Sequence, residues 1–243
     1  MSGCGDQFRG CSERVNVASA DVRPEPTRRA LILAALAAGT CVATTRPLAA
    51  EDDDRPGSDL RPKAADLLVF YDRRTLSKVL ELVRHVDPTL VFTHSPTDYM
   101  VDHEITSHLC QSACFGACAP NFRTGSRRPA KPVRGIPHLY YAQPFADKDI
   151  LGREILPRIF VNITAPLERK EQMLACHESQ RAWLKAQQEI PQVDEPLRKM
   201  ARRAGKLSGF TWAEGYRQHL GQGFPQDDLL AKILGDLVRS ERD

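Results

Sequence analysis

The stretch that decides the fold reads Thr89-Leu90-Val91-Phe92-Thr93-His94-Ser95-Pro96-Thr97-Asp98-Tyr99-Met100-Val101-Asp102-His103-Glu104. Its first five residues are apolar or β-branched, which predicts a short buried strand. A polar loop follows, and Asp102 is in a position to cap the next helix. Because the carboxyl ends of strands are where open α/β sheets bind ligands, the loop predicts either a functional site or an ordinary capped turn.

The residues around this stretch alternate between strand and helix patterns. Residues 67–71 predict a strand or a buried turn, and Asp72 is placed to cap a helix over 73–85 with one apolar stripe. A further helix is predicted over 103–117, after the polar loop. This βα order predicts an α/β fold with a parallel sheet.

Four further elements are predicted toward the C-terminus. Residues 138–142 and 158–163 predict strands, and Thr164 is placed to cap a long helix that ends near residue 188. Residues 209–217 and a short helix over 229–238 are expected to cover the sheet. The basic, proline-rich segment 120–135 is long enough to act as a lid or a binding loop.

Composition excludes several classes of protein. The chain has 243 residues, 42% of them hydrophobic, which is enough for one large domain and argues against disorder throughout. A formal charge of +3 is too small to indicate nucleic-acid binding, and no glycine-rich phosphate loop is present. One cluster is basic and contains Arg198, Lys199, Arg202, Arg203 and Lys206. We expect it to form a solvated helix face, with binding of a phosphate or an anionic surface as the second interpretation.

The cysteines indicate a reducing environment. Their number, seven, is odd, and none form a C-x-x-C pair, which fits reduced thiols in a cytosolic protein better than a disulfide framework. Cys110, Cys114 and Cys118 recur every four residues, a spacing that matches no zinc or iron–sulfur pattern. We therefore expect them to be small buried residues.

The first 59 residues differ from the rest. We interpret residues 1–59 as an irregular segment with one apolar helix over 28–38, and residues 60–243 as the main domain. The apolar run behind two arginines imitates a signal peptide, so export remains the alternative if residues 28–50 act as one. A cytoplasmic location is favoured, because the run lies some way in from Met1, and it is too short to span a bilayer.

Four motifs in order resemble the PIG-L/LmbE family of zinc-dependent N-deacetylases, and the resemblance covers about residues 60–243. They are His94 to Glu104, Ala119-Pro120-Asn121-Phe122, His138-Leu139-Tyr140-Tyr141 and Met173-Leu174-Ala175-Cys176-His177-Glu178-Ser179-Gln180. The resemblance implies a Rossmann-like, LmbE-like parallel sheet flanked by helices, with zinc at its carboxyl edge. It also implies a hydrolase that removes an acetyl group from an N-acetylglucosamine-type sugar or a similar amide.

The same resemblance implies roles for single residues. His103 matches the family's zinc ligand, whereas Met100 stands where many members have a histidine that assists the transition state. That assistance is either missing or supplied by His94 or Tyr99. A histidine at position 177 is either a core residue or a group directed at the loop of Asp102.

The sequence departs from the family at its front. The family's other two ligands and its base come from a His-Pro-Asp-Asp turn after the first strand, and this chain has no such turn. The N-terminal strand-loop unit is therefore predicted to be missing or replaced, the deacetylase domain to be incomplete and the activity to be impaired. Three explanations are open: a wrong start or shifted frame, an inactive sugar- or partner-binding paralogue, or substitute ligands drawn from Asp98, Asp102, His94 and His177.

These considerations yield a set of predicted site residues. His103 is expected to bind zinc, the catalytic candidates are Asp102, His94 and His177, and the substrate-binding candidates are Tyr99, Asp98 and Asn121. The expected partner is a small-molecule N-acetyl sugar conjugate, with no nucleic acid and no membrane span, and a homo-oligomer is left open.

Overall fold

The structure, a computed structural model, describes residues 30–32, 69–176 and 194–241. A single sheet flanked by helices confirms the predicted α/β class. In chain order the elements are β1 (Ala30–Ile32), α1 (Arg73–Val86), β2 (Leu90–Thr93), α2 (Val101–Gly116), β3 (His138–Ala142), β4 (Ile159–Asn162), α3 (Leu167–Ala175), α4 (Asp194–Ser208), β5 (Ala213–Gln218), α5 (Leu229–Leu234) and β6 (Val238–Ser240).

The sheet has six strands in the order β1-β2-β3-β5-β4-β6 and is mixed rather than wholly parallel. The pairs β1–β2 and β2–β3 are parallel, and the second pair agrees with the predicted parallel sheet, whereas β1 was not predicted as a strand. The expectation that residues 209–217 cover the sheet is wrong, because β5 inserts between β3 and β4 and runs antiparallel to both. β6 also pairs antiparallel, with β4, at the edge of the sheet.

The predicted apolar helix over 28–38 is wrong in the part that the structure describes. Ala30 pairs with Leu90 and Ile32 with Phe92, so this run contributes a parallel strand to the sheet. A short apolar run fits a buried helix or a buried strand equally well, and the exposed edge of β2 decides between them. A strand thus lies beside β2, whereas residues 28–29 and 33–38, the rest of the predicted helix, lie outside the described residues.

α1 begins and packs as its sequence predicts. Asp72 caps it by accepting a 2.7 Å hydrogen bond from the Thr75 backbone N–H. Residues 67–71 were predicted to form a strand or a buried turn. The strand is wrong in the described part, since residues 69–71 lie outside the sheet, and only Val69 is buried there, whereas Phe70 and Tyr71 are exposed. The face of α1 toward the sheet contributes to the main core, where each fully buried valine or leucine stabilises the fold by about 1.5–3 kcal/mol. Members of this core from α1, α2 and the sheet include Leu80, Val83, Val91, Leu109, Ala113 and Leu139.

The proline-rich segment 120–135 is bound to α1. Both carboxylate oxygens of Glu81 accept from it, Oε2 from the Thr124 hydroxyl at 2.7 Å and Oε1 from the Ala130 N–H at 2.5 Å. Arg84 donates to three backbone carbonyls at the end of α2 and the start of this segment, those of Ala117, Ala119 and Phe122. The segment is therefore a structural connection held by two buried charges, and the expectation of a lid over the site is wrong.

The C-terminal helices differ from the prediction at their beginnings. α3 begins at Leu167 rather than at a Thr164 cap, and the Thr164 hydroxyl instead accepts from the Trp212 N–H at 3.3 Å. Residues 177–193, which include His177 and the predicted end of this helix, lie outside the described residues. Within the basic cluster, Arg203 binds Asp147 at 3.1 Å and Arg202 lies over the Trp212 ring, as expected of a solvated helix face.

α5 is tied to the start of β3 by one carboxylate. Asp227 binds His138 at 2.9 Å and Lys232 at 2.7 Å, and these two hydrogen bonds hold the pKa of its carboxyl well below the usual range. Asp228 caps α5 by accepting from the Ala231 N–H.

The described cysteines are free thiols: Cys110, Cys114, Cys118 and Cys176. Cys110 and Cys114 are buried in the core, as predicted, and burial raises the pKa of the Cys110 thiol to about 12. None of the helices in the described ranges combines the length and the apolar character that crossing a bilayer requires.

Candidate metal centre

The loop between β2 and α2 is ordered by two acidic side chains. The Met100 N–H donates to Asp98 Oδ1 at 3.1 Å, and the Asp98 N–H donates to Glu104 Oε1 at 2.9 Å. These bonds satisfy backbone donors just before and at the helix start, much as a capping box does. The prediction that Asp102 caps α2 is wrong, because Met100 occupies the cap position and Asp102 lies buried in the first turn.

This loop brings together His94, Asp98 and His103. One donor atom from each residue lies within 4.8 Å of the other two, and the group could hold a metal ion. Asp98 Oδ1 is 2.9 Å from His103 Nδ1, and the Asp98 side chain is almost fully buried. The imidazole rings of His94 and His103 are stacked, with centroids 4.0 Å apart and planes inclined by 1°.

The protonation state of His94 suits it to metal binding. Burial and, to a smaller extent, the neighbouring His103 lower the pKa of His94 to about 4, with Asp98 opposing both effects. At neutral pH the His94 ring is therefore uncharged, and a neutral imidazole carries a nitrogen lone pair of the kind that binds metals.

Asp98 selects the His103 nitrogen that remains available. A carboxylate can only accept, so Nδ1 of a neutral His103 must donate to Asp98, which leaves the Nε2 lone pair for a ligand. This is the arrangement by which carboxylates orient metal-ligating histidines. The group supplies imidazole nitrogens, which suit zinc, and Asp98 is the carboxylate that orients one of them, so the residues fit the expected metal. Since no ion can lie in the planes of two parallel stacked rings, joint ligation requires one ring to turn.

The predicted site residues are only partly brought together. Tyr99 lies beside the group, with its ring edge-on to His103 at 5.6 Å between centroids and more than half of its surface exposed. Asn121 is exposed and lines a concavity with Tyr71 and Asp72, so its substrate contact stays a prediction. His177 lies outside the described residues.

Arg217 is a residue of this region that the sequence analysis missed. It lies on β5, and its Nη2 donates to the Ser95 hydroxyl at 2.7 Å, next to His94 in the chain. Ser95 is itself buried, and its hydroxyl donates to the Thr97 carbonyl at 2.5 Å. No motif marked Arg217, because only the insertion of β5 beside β3 brings it to the carboxyl end of β2.

The fold and this group define an α/β protein with a His-Asp-His site, capable of binding a metal, at the carboxyl end of a parallel strand. No protein-family model matches the chain. A curated relative, 4-oxalmesaconate hydratase of Pseudomonas putida, is 29% identical over 106 residues, or 43% of this chain. The chain spans 38% of the length of that relative in the match.

Three solved structures are similar in fold. The 4-carboxy-2-hydroxymuconate hydratase GalB of Pseudomonas putida is 20% identical, with 71% of each chain covered and a TM-score of 0.49. A conserved protein of Thermus thermophilus has the same identity and TM-score, with 71% of this chain and 74% of that chain covered. The N,N'-diacetylchitobiose deacetylase of Pyrococcus horikoshii is 21% identical, covering 72% of this chain and 65% of that one, with a TM-score of 0.48.

Proposed function

We propose that this chain is a zinc-dependent hydrolase that removes an acetyl group from an N-acetylated sugar or a similar amide. The observation that carries the proposal is the convergence of His94, Asp98 and His103 at the carboxyl end of β2. Imidazole and carboxylate donors favour zinc among the common hydrolytic metals. When bound, the ion would acidify a water molecule and polarise the amide carbonyl.

The chain's own residues then have distinct tasks. Asp98 holds His103 in the tautomer that presents Nε2, and Tyr99 offers an exposed aromatic surface against which a sugar ring can pack. His94 is a poor general base at neutral pH, because a base with a pKa of about 4 has little affinity for a proton. We assign His94 to metal or substrate binding, and since the family's His-Pro-Asp-Asp base is absent from the sequence we expect slow turnover.

Metal content and acetate release test this proposal together. The purified full chain should contain about one zinc per chain and release acetate from N-acetylglucosamine conjugates. His103→Ala should lose the metal and the activity. His85→Ala is the matched control, because His85 is exposed at the end of α1 and should leave both unchanged. Stoichiometric zinc in His103→Ala, or none in the wild-type chain, contradicts the proposal.

Hydration is a second candidate, and the sequence match to 4-oxalmesaconate hydratase is the observation that favours it. A metal-activated water would then add across the carbon–carbon double bond of an unsaturated carboxylate instead of attacking an amide. Loss of ultraviolet absorbance by a conjugated acid without acetate release identifies this activity. Binding of N-acetylglucosamine without turnover identifies the inactive sugar-binding alternative.

The cellular location and the binding partner are part of the same proposal. We infer a cytoplasmic location from the free thiols of the described cysteines. The partner proposed is a small-molecule N-acetyl sugar conjugate rather than nucleic acid, and homo-oligomerisation stays a prediction.

A further inference from the structure

Three adjacent strands present one row of polar side chains near the metal-capable group. Thr93 on β2 pairs with Tyr141 on β3, and Tyr141 pairs with Arg217 on β5. Residues directly opposite one another on paired strands project to the same face of the sheet. The row therefore extends from the end of β2, where the site loop begins, to a guanidinium on β5.

Arg217 is the charged member of this row. Among the residues that the structure describes, its side chain donates to Ser95 and forms no ion pair, and its buried Nε has no hydrogen-bond partner. Thr93 Oγ1, in the same row, is buried beside the Cys110 thiol. Burial lowers the pKa of Arg217 and the nearby Tyr141 opposes this effect, but an arginine remains charged at neutral pH.

An unpaired, partly buried guanidinium is costly to retain. Burying a charge without a compensating partner destabilises a fold, and each unsatisfied buried donor adds to that cost. A ligand with anionic oxygens removes both penalties, since the planar guanidinium fork matches a carboxylate or a phosphate. Arg217 also lies close to the metal-capable group. Its side chain binds Ser95, which directly follows His94 in the chain, and adjacent Cα atoms lie about 3.8 Å apart.

We propose that Arg217 determines specificity by binding an anionic oxygen group of the substrate, a carboxylate or a phosphate, beside the reacting bond. This inference rests on the proposed function for the location of the chemistry and deepens it by assigning the substrate a negative charge. A neutral N-acetylglucosamine would leave Arg217 unsatisfied, whereas an acidic sugar derivative or an unsaturated dicarboxylate would pair with it.

Calorimetric titration of the full chain tests the inference with three probes: fumarate, inorganic phosphate and N-acetylglucosamine. Arg217→Gln should weaken binding of the preferred anion about 10- to 100-fold, the range for a charged hydrogen bond. Arg217→Lys should retain part of the affinity, because it keeps the charge and loses the fork. Arg134→Gln is the control, since it removes an equal charge from an exposed position. Thermal unfolding of each variant establishes that it folds.

The two anions separate the two sources of the negative group. Tighter binding of fumarate identifies a carboxylate, and tighter binding of phosphate identifies a phosphate ester. The inference is overturned if neither anion binds the wild-type chain, or if Arg217→Gln and Arg217→Lys bind both anions as tightly as Arg134→Gln does. The two proposals are separated by titrating zinc-free protein with the anions and by measuring its zinc uptake in a second experiment. A chain that binds an anion through Arg217 but takes up no zinc supports the role of Arg217 and contradicts the metal-dependent hydrolase.

Discussion

Replacing Asp98 with asparagine should weaken zinc binding while leaving the fold intact. Asp98 Oδ1 accepts from His103 Nδ1 at 2.9 Å and from the Met100 N–H at 3.1 Å. Asparagine has nearly the same size and can still accept both bonds, but it lacks the charge. It can also turn its amide group and donate to Nδ1, which would place the proton on Nε2 and block the nitrogen that the metal needs.

The expected change in zinc affinity follows from the hydrogen bond between Asp98 and His103. A hydrogen bond to a charged group contributes about 1.5–3 kcal/mol, against about 1 kcal/mol for a neutral pair. The loss of about 0.5–2 kcal/mol corresponds to a zinc dissociation constant raised roughly 2- to 30-fold. Outer partners of metal ligands typically contribute about 10- to 100-fold in metal affinity, which overlaps with this range.

Competition with a chromophoric chelator at neutral pH measures the zinc dissociation constant of each variant. Asp149→Asn is the matched control, since Asp149 Oδ1 also accepts two backbone hydrogen bonds, from Leu151 and Arg153, and contacts no histidine within the described ranges. Circular dichroism verifies that both variants fold. Equal zinc affinities in Asp98→Asn and the wild-type chain would refute the assignment of Asp98 as the residue that orients His103.

Three further predictions concern the stability of the fold. Arg84→Met should lower the free energy of unfolding by about 3 kcal/mol in urea denaturation, because it leaves three backbone carbonyls without their donor. Gly205→Ala should lower the melting temperature although alanine favours helices, because the added Cβ would lie 2.7 Å from the carbonyl oxygens of Phe210 and Thr211. Asp227→Asn should lower stability at neutral pH, and the difference from the wild-type chain should shrink as the pH falls below about 4. The sign follows because hydrogen bonds from Lys232 and His138 lower the folded pKa of Asp227, so its contribution is present above the unfolded pKa and lost in acid.

Each of these predictions has a control in the same chain. Arg74→Gln removes an exposed arginine from α1, Gly135→Ala adds a Cβ that meets nothing within 4 Å, and Asp236→Asn changes an exposed aspartate. All three should change the free energy of unfolding by less than about 0.5 kcal/mol. The packing argument for Gly205 is wrong if Gly205→Ala is at least as stable as the wild-type chain. A constant stability difference for Asp227→Asn between neutral and acidic pH would contradict its ionic role.

Local sequence patterns predicted the centre of the molecule well. The helix after Asp72 and the strands at 90–93 and 138–142 were predicted within a residue or two of their observed bounds. In these segments the apolar period, the cap and the flanking turn residues all act over a few positions. His94 and His103 were identified for the same reason, since nine positions separate them on either side of one loop.

Errors arose where the outcome depended on distant parts of the chain. The apolar run at 30–32 became a strand because β2 offers it an open edge, and residues 213–218 entered the sheet because β3 and β4 leave a place between them. Neither edge is visible in the local sequence, because strand propensity depends on the neighbours that a strand finds. The segment 120–135 was likewise misjudged, because its position depends on Glu81 and Arg84 some forty residues earlier.

By itself, the sequence determined that an α/β domain places two histidines and several carboxylates in the loop after a buried strand, because hydrophobic periodicity and helix capping are local. Only the tertiary structure decided that Asp98 rather than Asp102 binds His103, and that Arg217 reaches Ser95 from a strand inserted beside β3. Both outcomes depend on side-chain direction and strand order, which arise when the elements pack and their buried polar groups must find partners.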